Sequence, residues 1–362
     1  MPTLQKLPMF DEISLVLPSH PSCVVVSTSF GKDSIAALIQ VLSTFGKDLT
    51  IAHYQMVEEE WSGTLEYGRA ICADLGVPLY VSQGRYHGYR CLDCGHKYLS
   101  AHPEKALCRP PQGCGSRNNQ FICMVDSVHD LIAWREKWVS KKVRACTKYF
   151  KTEVFNSWAR NNKVLLGNSP LLVLGERWLE SKDRAKIPEL RYRTGLQSGW
   201  MMEWHPILSY RRIDSFRKLR ENNIEPHYCY RAQWRELLRE EHAIWRTQNV
   251  PPHCSYEDQW DGLLEVSELP DAALDSMINK LMFEVDEEGG PRCSCVSCFF
   301  KSEKQLRASY RTEEGRPVIE EAMHLEERIG FTMKQGQTIR GMVEGEVMVG
   351  YGPNEGERNL TV

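Results

Sequence analysis

Between Cys23 and Gln83 the chain switches repeatedly between two periodicities, and that alternation limits its fold more than any other feature. Cys23 to Phe30 is a short β-branched run ending in a turn, and Asp33 to Phe45 carries apolar residues at helical spacing. Leu49 to Val57 reads as a second strand, Thr64 to Gly76 as a helix that Gly76 stops, and Val77 to Gln83 as a third strand. Strands alternating with helices build a parallel sheet covered on both faces. The expected class is therefore α/β, a Rossmann-like doubly wound parallel sheet.

From Arg85 to Cys123 the pattern dissolves into Cys, Gly, Pro and His. Such a stretch reads as an insertion with its own stabiliser. Helical spacing returns at Ser127 to Val139 and at Lys148 to Arg160, before apolar stretches at 164–167 and 170–176. Further helices are expected over Arg211 to Asn222 and Ala232 to Arg246. The acidic segment Asn249 to Gly290 has no strand signal and reads as mostly helical. The resulting division is an N-terminal segment 1–20, a nucleotide-binding domain 21–232 carrying the insertion 85–123, a helical insertion 233–290, and a Cys-bearing C-terminal region 291–362.

The composition excludes several classes. With 362 residues, 42% hydrophobic and 26% charged, the chain is neither fibrous nor wholly disordered, and it shows no repeat of solenoid length. No apolar run approaches the roughly 20 residues that cross a bilayer. The first 20 residues hold acids and prolines where a signal peptide would have a basic end and an apolar core, so a cytoplasmic protein without a membrane partner is expected. A formal charge of -3 offers no bulk polycation. Thirteen cysteines in a reducing compartment point to metal or redox chemistry rather than to disulfides.

Ser29, Phe30, Gly31, Lys32, Asp33 and Ser34 lie between the first strand and the first turn of the first helix, where backbone N–H groups lack intrahelical partners. Small residues, the helix dipole and Lys32 together suit a phosphate. The spacing is not that of a Walker A loop. An ordinary strand-to-helix turn with an exposed lysine is the alternative.

The segment STSFGKDS, Ser27 to Ser34, resembles the PP-loop of the N-type ATP pyrophosphatases, in the branch that contains the phosphoadenosine phosphosulfate reductases. Phe30 stands where that loop usually has its first glycine. RACTKYFK, Arg144 to Lys151, is similar to the family's Arg-x-Cys-Thr segment, and GERWLESKDRAK, Gly175 to Lys186, to its Gly-x-Arg-x-x-Glu-Ser-x-x-Arg segment. WHPILSY, IEPHYCYR and CSCVSC resemble the closing region, so the likeness spans Cys23 to Lys301. It implies an adenine-nucleotide-alpha-hydrolase-like fold that binds ATP and Mg2+ through Ser27, Ser29, Phe30, Gly31, Lys32, Asp33, Ser34, Arg144, Lys148, Glu180 and Ser181. Lys32, Asp33, Arg177 and Arg184 are the implied catalytic groups. The guanidinium forks of Arg177 and Arg184 suit phosphate or sulfate oxygens. A solvated helix face with a Glu180–Arg184 pair is the alternative reading of the same segment.

Within the resembled family, enzymes that split ATP between the α and β phosphates keep Lys-Asp-Ser, as Lys32, Asp33 and Ser34 do here. The reductases carry a C-terminal Glu-Cys-Gly-(Leu/Ile)-His segment, yet this chain has no cysteine after Cys298. The expected activity is thus adenylation of a substrate for sulfur transfer, similar to the DNA phosphorothioation protein of the Dnd system or to tRNA thiolation enzymes. A sulfur donor such as a cysteine desulfurase and a DNA or RNA substrate are the implied partners. Sulfonucleotide reduction ranks second, and a non-catalytic nucleotide-binding subunit third.

Two cysteine sets stand out. Cys293, Cys295 and Cys298 form C-x-C-x-x-C, and Cys146 matches a cluster position of the iron-sulfur reductases, so a 4Fe-4S cluster on these four is expected, with zinc as the alternative. Cys91, Cys94, Cys108 and Cys114 read as a zinc site inside the insertion, with His87, His96 and Cys123 as substitutes. Cys23 and Cys72 read as small buried hydrophobes, while Cys229 and Cys254 stay undecided. Between Arg135 and Lys151 there are seven Lys or Arg and only Glu136 as an acid, with Trp138 among them and Trp134 just before. That stretch could track a nucleic-acid backbone or be a solvated face with core tryptophans. Arg211, Arg212, Arg217 and Arg220 add to the case for an anionic macromolecule.

Overall fold

The computed structural model describes residues 16–140, 142–248, 269–285 and 290–345. The β-branched run of the first strand is covered on both faces. In β1 (Val24–Thr28), Val24 and Val26 pack with Leu38 and Val41, while Val25 packs on the opposite side with Phe155 and Leu166. β1 lies in a six-stranded sheet of order β3-β2-β1-β7-β9-β8. β2 (Thr50–Met56), β3 (Leu79–Gln83), β7 (Leu171–Leu174) and β9 (Met202–Trp204) continue it in parallel, and β8 (Leu190–Tyr192) is an antiparallel edge. The fold is the expected α/β, Rossmann-like class.

Helix α1 (Lys32–Phe45) and helix α2 (Thr64–Leu75) cover one face. α2 stops where Gly76 takes a left-handed conformation (φ 67°) and returns its N–H to Cys72. The other face carries helix α5 (Glu153–Asn161) and the single turn α6 (Lys163–Leu166). Cys23 and Cys72 are buried, and burial pushes both thiols up to about 11, as suits small core side chains.

The sheet runs outward from β1 in both directions, through β2 and β3 on one side and β7 on the other. The gap between the carboxyl ends of β1 and β7 is thus a topological switch point, where loops part and leave a crevice.

Two expected helices are shorter or less regular than their spacing predicts. Helix α3 (Val128–Arg135), opened by a Ser127–Asp130 capping box, ends at Arg135 rather than Val139 because Glu136 takes a left-handed conformation. The run expected from Lys148 is composite: α4 (Ala145–Thr147) leads through a π-helical turn, Lys148–Thr152, into α5. The basic stretch 135–151 is therefore not one helix. Trp138 is buried, and Trp134 packs beneath Gly88. These tryptophans serve the core rather than a stacking platform.

The insertion is a second, antiparallel sheet of order β5-β4-β6, made of β4 (Tyr86–Cys91), β5 (Lys97–Ser100) and β6 (Asn119–Val125). After the main sheet, α7 (Arg212–Glu221) packs on α1, and α8 (Cys229–Gln248) runs across position 232. The polar C-terminal region is helical among the described residues. α9 (Asp271–Phe283), α10 (Glu303–Arg311), α11 (Gly315–Ile329) and α12 (Ile339–Glu344) gather with α8 on an apolar cluster that also takes in Trp61, Ile132, Trp138 and Phe216. Residues 1–15, 141, 249–268, 286–289 and 346–362 lie outside the description, including the N-terminal segment up to 15, Cys254 and most of the acidic stretch. No helix among the described residues is long and apolar enough to cross a membrane.

Candidate nucleotide site and cysteine clusters

The loop that joins β1 to α1 is held by its own hydroxyls. Thr28 Oγ1 donates to Ser34 Oγ (3.1 Å), Ser34 Oγ donates to the Gly31 carbonyl (3.0 Å), and the Phe30 N–H donates to Thr28 Oγ1 (3.0 Å). Phe30, at the place of the first glycine of the resembled loop, adopts φ 53°, a left-handed conformation that a glycine enters without strain. What compensates is burial. Its ring is fully buried beside Tyr54 (centroids 5.3 Å apart) and against Gly68, where an added Cβ would lie 2.1 Å from the ring. Loop shape therefore survives the loss of the glycine through a ring-sized hollow in α2.

Lys32 and Asp33 open α1. Lys32 Nζ lies 2.5 Å from Asp33 Oδ2, Arg177 Nε lies 2.9 Å from Asp33 Oδ1, and Ser215 Oγ donates to that same Oδ1 at 2.6 Å. Burial pulls Lys32 down to about 8 in spite of the neighbouring carboxylate. Burial acts to raise Asp33, but Lys32 and Arg177 outweigh it and hold the carboxyl below its usual value.

The second segment, after β7, forms two 3₁₀ turns (Trp178–Glu180 and Arg184–Lys186) instead of a solvated helix. Gly175 is needed there because a Cβ would come within 2.6 Å of the Asp33 carbonyl. Arg177 is buried, and Glu180 ties it (3.9 Å) to Arg184, which also lies 3.4 Å from Glu176.

Both segments face one cavity of about 920 Å³ at the switch point. Among the described residues its walls carry Lys32, Lys151, Arg177, Arg184, Arg212, Arg292, Lys301 and Lys334, against Asp33 and Glu180 as the acids. That imbalance suits a polyanion such as a triphosphate. Ser29, Gly31 and Ser34 also line it.

Five other expected residues stand outside its lining. Ser27 Oγ is spent on Gln55 of β2 (3.0 Å), Phe30 is in the core, and Ser181 Oγ accepts the Arg184 N–H (3.2 Å). Arg144 lies over the Phe300 ring and 3.9 Å from Asp183. Lys148 is turned outward by the π-helical turn, which sends Lys151 inward in its place. Burial acts to lower Lys151, but Glu60 at 3.4 Å raises it above its usual value.

The C-terminal helices supply a wall that the sequence did not announce. Tyr230 Oη accepts the Lys32 N–H (3.1 Å), and an added Cβ on Gly31 would meet Cys293 Cβ at 3.4 Å. Arg212 and Arg217 are not free for a macromolecule: they donate to the carbonyls of Leu281, Val285 and Phe283 at the end of α9. Arg211 pairs with Asp214.

Cys91, Cys94, Cys108 and Cys114 converge, with all four sulfurs within 4.8 Å of one another, and this set can hold a metal ion. The other expected set is not gathered in that way. Cys146, Cys295 and Cys298 lie near one another and near Lys151, whereas Cys293 turns to Cys229 and His227. Cys293 lines the cavity while Cys295 packs with Cys146, so the motif splits between two places. Cys229, undecided from sequence, is fully buried in contact with Cys293.

A scan against protein-family models gives no match, and a search of curated proteins gives none. Among solved structures the chain is similar to a phosphoadenylyl-sulfate (PAPS) reductase from Candida auris in a phosphate complex, at 11% identity over 58% of this chain and 76% of that one, with a TM-score of 0.32. It is also similar to the FMN adenylyltransferase of Candida glabrata in complex with FMN and the ATP analogue AMPCPP, at 10% identity over 59% of this chain and 52% of that one, with a TM-score of 0.32.

Proposed function

We propose that the chain binds ATP in the switch-point cavity and cleaves it between the α and β phosphates, adenylating an acceptor to which sulfur is then passed. The observation that carries this reading is the meeting of two separate segments, Ser29–Ser34 and Gly175–Arg184, in one cavity whose walls are strongly cationic. Lys32 and the amides at the opening of α1 would take the leaving pyrophosphate, and the Arg177–Arg184 pair would neutralise charge that develops on the transferring phosphorus. Asp33 holds Lys32 and Arg177 in place. Its oxygens are already engaged, and Glu180 is taken by arginines, so among the described residues the cavity walls offer no open carboxylate to Mg2+. The ion would arrive on the phosphate oxygens.

The test is pyrophosphate release from ATP and Mg2+ by the purified chain. Lys32→Ala is expected to abolish it with the fold intact by circular dichroism. Unchanged turnover in that variant would sink the assignment of the loop.

Cys293 favours a second reading. Cys293 lines the same cavity, and a sulfonucleotide reductase requires a thiol beside its nucleotide. Sulfite release from phosphoadenosine phosphosulfate, lost in Cys293→Ser, would select that reading over the first.

The thiol sets take separate metals in this proposal. The Cys91, Cys94, Cys108 and Cys114 group fits Zn2+, which favours four tetrahedral thiolates. The pairs Cys91–Cys114 and Cys94–Cys108 stand 3.6 and 3.5 Å apart, and the His96 and Ser116 N–H groups point to the sulfurs of Cys94 and Cys114. Cys146, Cys295 and Cys298, with Cys293 as the fourth, would hold a 4Fe-4S cluster, whose chemistry is electron transfer. Cys293 has to swing from Cys229 to join them, and as a ligand it is lost as a free thiol.

A further inference from the structure

A second cavity, of about 780 Å³, lies apart from the nucleotide site. One wall is the helical run 148–162, and the other is built from Arg85, Tyr86, Ala101 and His102 of the insertion. The two walls meet at one end, where Tyr86 Oη donates to the Tyr149 carbonyl (2.7 Å). The two cavities are neighbours, because the π-helical turn presents Lys151 to the first and Lys148 to the second.

The lining is polar and cationic. Arg85, Lys148 and Arg160 face Glu153 as the one acidic side chain, and Glu153 is itself 3.7 Å from Lys148. Amide side chains of Gln83 and Asn161 offer paired donors and acceptors, while Asn162 donates to the Trp158 carbonyl (2.8 Å) and the Trp158 ring is itself stacked on His53 (centroids 4.1 Å apart). Phosphodiesters and the hydrogen-bonding edges of unpaired bases are the chemistry such a wall recognises. The insertion beside it carries Arg85, Arg90, Lys97, Lys105, Arg109 and Arg117 against Asp93 and Glu104, in a chain whose formal charge is -3. Six cations against two acids leave the insertion positive in a chain whose net charge is negative.

The outer wall depends on the four-thiol site. The insertion sheet buries few apolar side chains of its own, and its hairpin between β4 and β5 carries Cys91 and Cys94. Cys108 and Cys114 return the connecting loop to that hairpin, with Gly113 admitting the close turn because a Cβ would lie 2.5 Å from Cys108 Sγ. A sheet this small needs a staple.

We infer that this cleft is a second binding site, for single-stranded nucleic acid, whose outer wall stands only while the four thiols hold a metal ion. The inference rests on the ATP reading only for the identity of the bound strand as acceptor. Binding itself is independent of turnover.

The probe is a fluorescein-labelled 20-mer of thymidine, read by anisotropy against the full-length, metal-loaded protein. Arg85→Ala/Lys148→Ala/Arg160→Ala is expected to flatten the slope of log affinity against log salt by about 2, at roughly 0.7 per phosphate contact. Arg85→Lys/Arg160→Lys is expected to retain binding. Cys114→Ser is expected to lose one equivalent of zinc and at least tenfold in oligonucleotide affinity, yet to bind a fluorescent ATP analogue as the parent does. The proposal falls if the triple alanine variant binds like the parent. It also falls if Cys114→Ser loses zinc and keeps the oligonucleotide, or if duplex DNA or polyglutamate competes as well as the single strand. Absent pyrophosphate release alongside intact strand binding would remove the ATP reading and leave this one standing.

Discussion

The packing of Phe30 into the hollow over Gly68 predicts a change of sign between two backgrounds. Gly68→Ala in helix α2 should gain about 1 kcal/mol in helix propensity. The new Cβ, however, would sit 2.1 to 2.4 Å from three carbons of the Phe30 ring. Forcing a filled core apart costs about 1–3 kcal/mol, and a fully buried ring on a structured loop belongs at the upper end. The net effect in the parent is a loss of about 2 kcal/mol. Phe30→Gly empties the hollow and relieves the left-handed backbone, at the cost of about 3–5 kcal/mol of lost ring burial. In that background the methyl of Gly68→Ala enters open space and should stabilise by about 1 kcal/mol. The coupling between the two sites is therefore about 3 kcal/mol, large for a contact pair. Urea unfolding of the four proteins measures it. Equal effects of Gly68→Ala in both backgrounds would refute the idea that the ring replaces the missing glycine. A parallel loss of ATP affinity in the Gly68→Ala single variant is expected, because a displaced ring carries Gly31 and Lys32 with it.

ATP affinity should depend on pH if the phosphates meet Lys32 as proposed. Its ammonium is pulled down to about 8 by burial, and a bound anion favours the charged form, so affinity should be flat below pH 7 and fall by up to about tenfold per unit above 8; a flat profile from 7 to 10 would remove Lys32 from the phosphates. Glu203 is a structural anion, buried with Arg191, Arg193 and His205. Burial would raise it, but the His205 and Arg193 contacts prevail and bring it to about 2. Because its folded value is depressed, its stabilisation is present above the unfolded value and lost as pH falls through 2. Glu203→Ala is expected to cost about 3 kcal/mol at pH 7, seen in thermal unfolding, and an unchanged melting temperature would contradict the network.

The first half of the sheet was open to reading because its signals are local. A β-branched strand, a turn of small residues and a 3.6-residue period mark out β1, α1, β2, α2 and β3 within their own segments, although the later partners β7 and α7 of β1 and α1 lie far along the chain. The clustered cysteines of the insertion were readable for the same reason, since spacing along the chain limits which sulfurs can meet. Failures occur where long-range packing decides. Nothing in the polar stretch 303–345 told that Leu306, Ile319 and Met323 would meet Trp61 and Phe216. Lys334, in that stretch, gave no sign of its place in the cavity wall, and neither did Tyr230, Arg292 or Lys301 before it. The exchange of Lys148 for Lys151 follows from one extra residue in a helical turn, which leaves no periodic trace. Arg212 and Arg217 looked available for a polyanion because a sequence cannot show that the C-terminal carbonyls of α9 would claim them.

Ser29 and Gln335 border the same cavity although nearly the whole chain separates them. If the cavity takes a nucleotide as proposed, both Ser29 and Gln335 must be in place before it is enclosed, and any ligand that fits there closes a very long loop. Nucleotide added during refolding should act as a late clasp, leaving the early steps unhurried while slowing the escape of the finished molecule, so that protection from proteolysis extends to helices far from the phosphates.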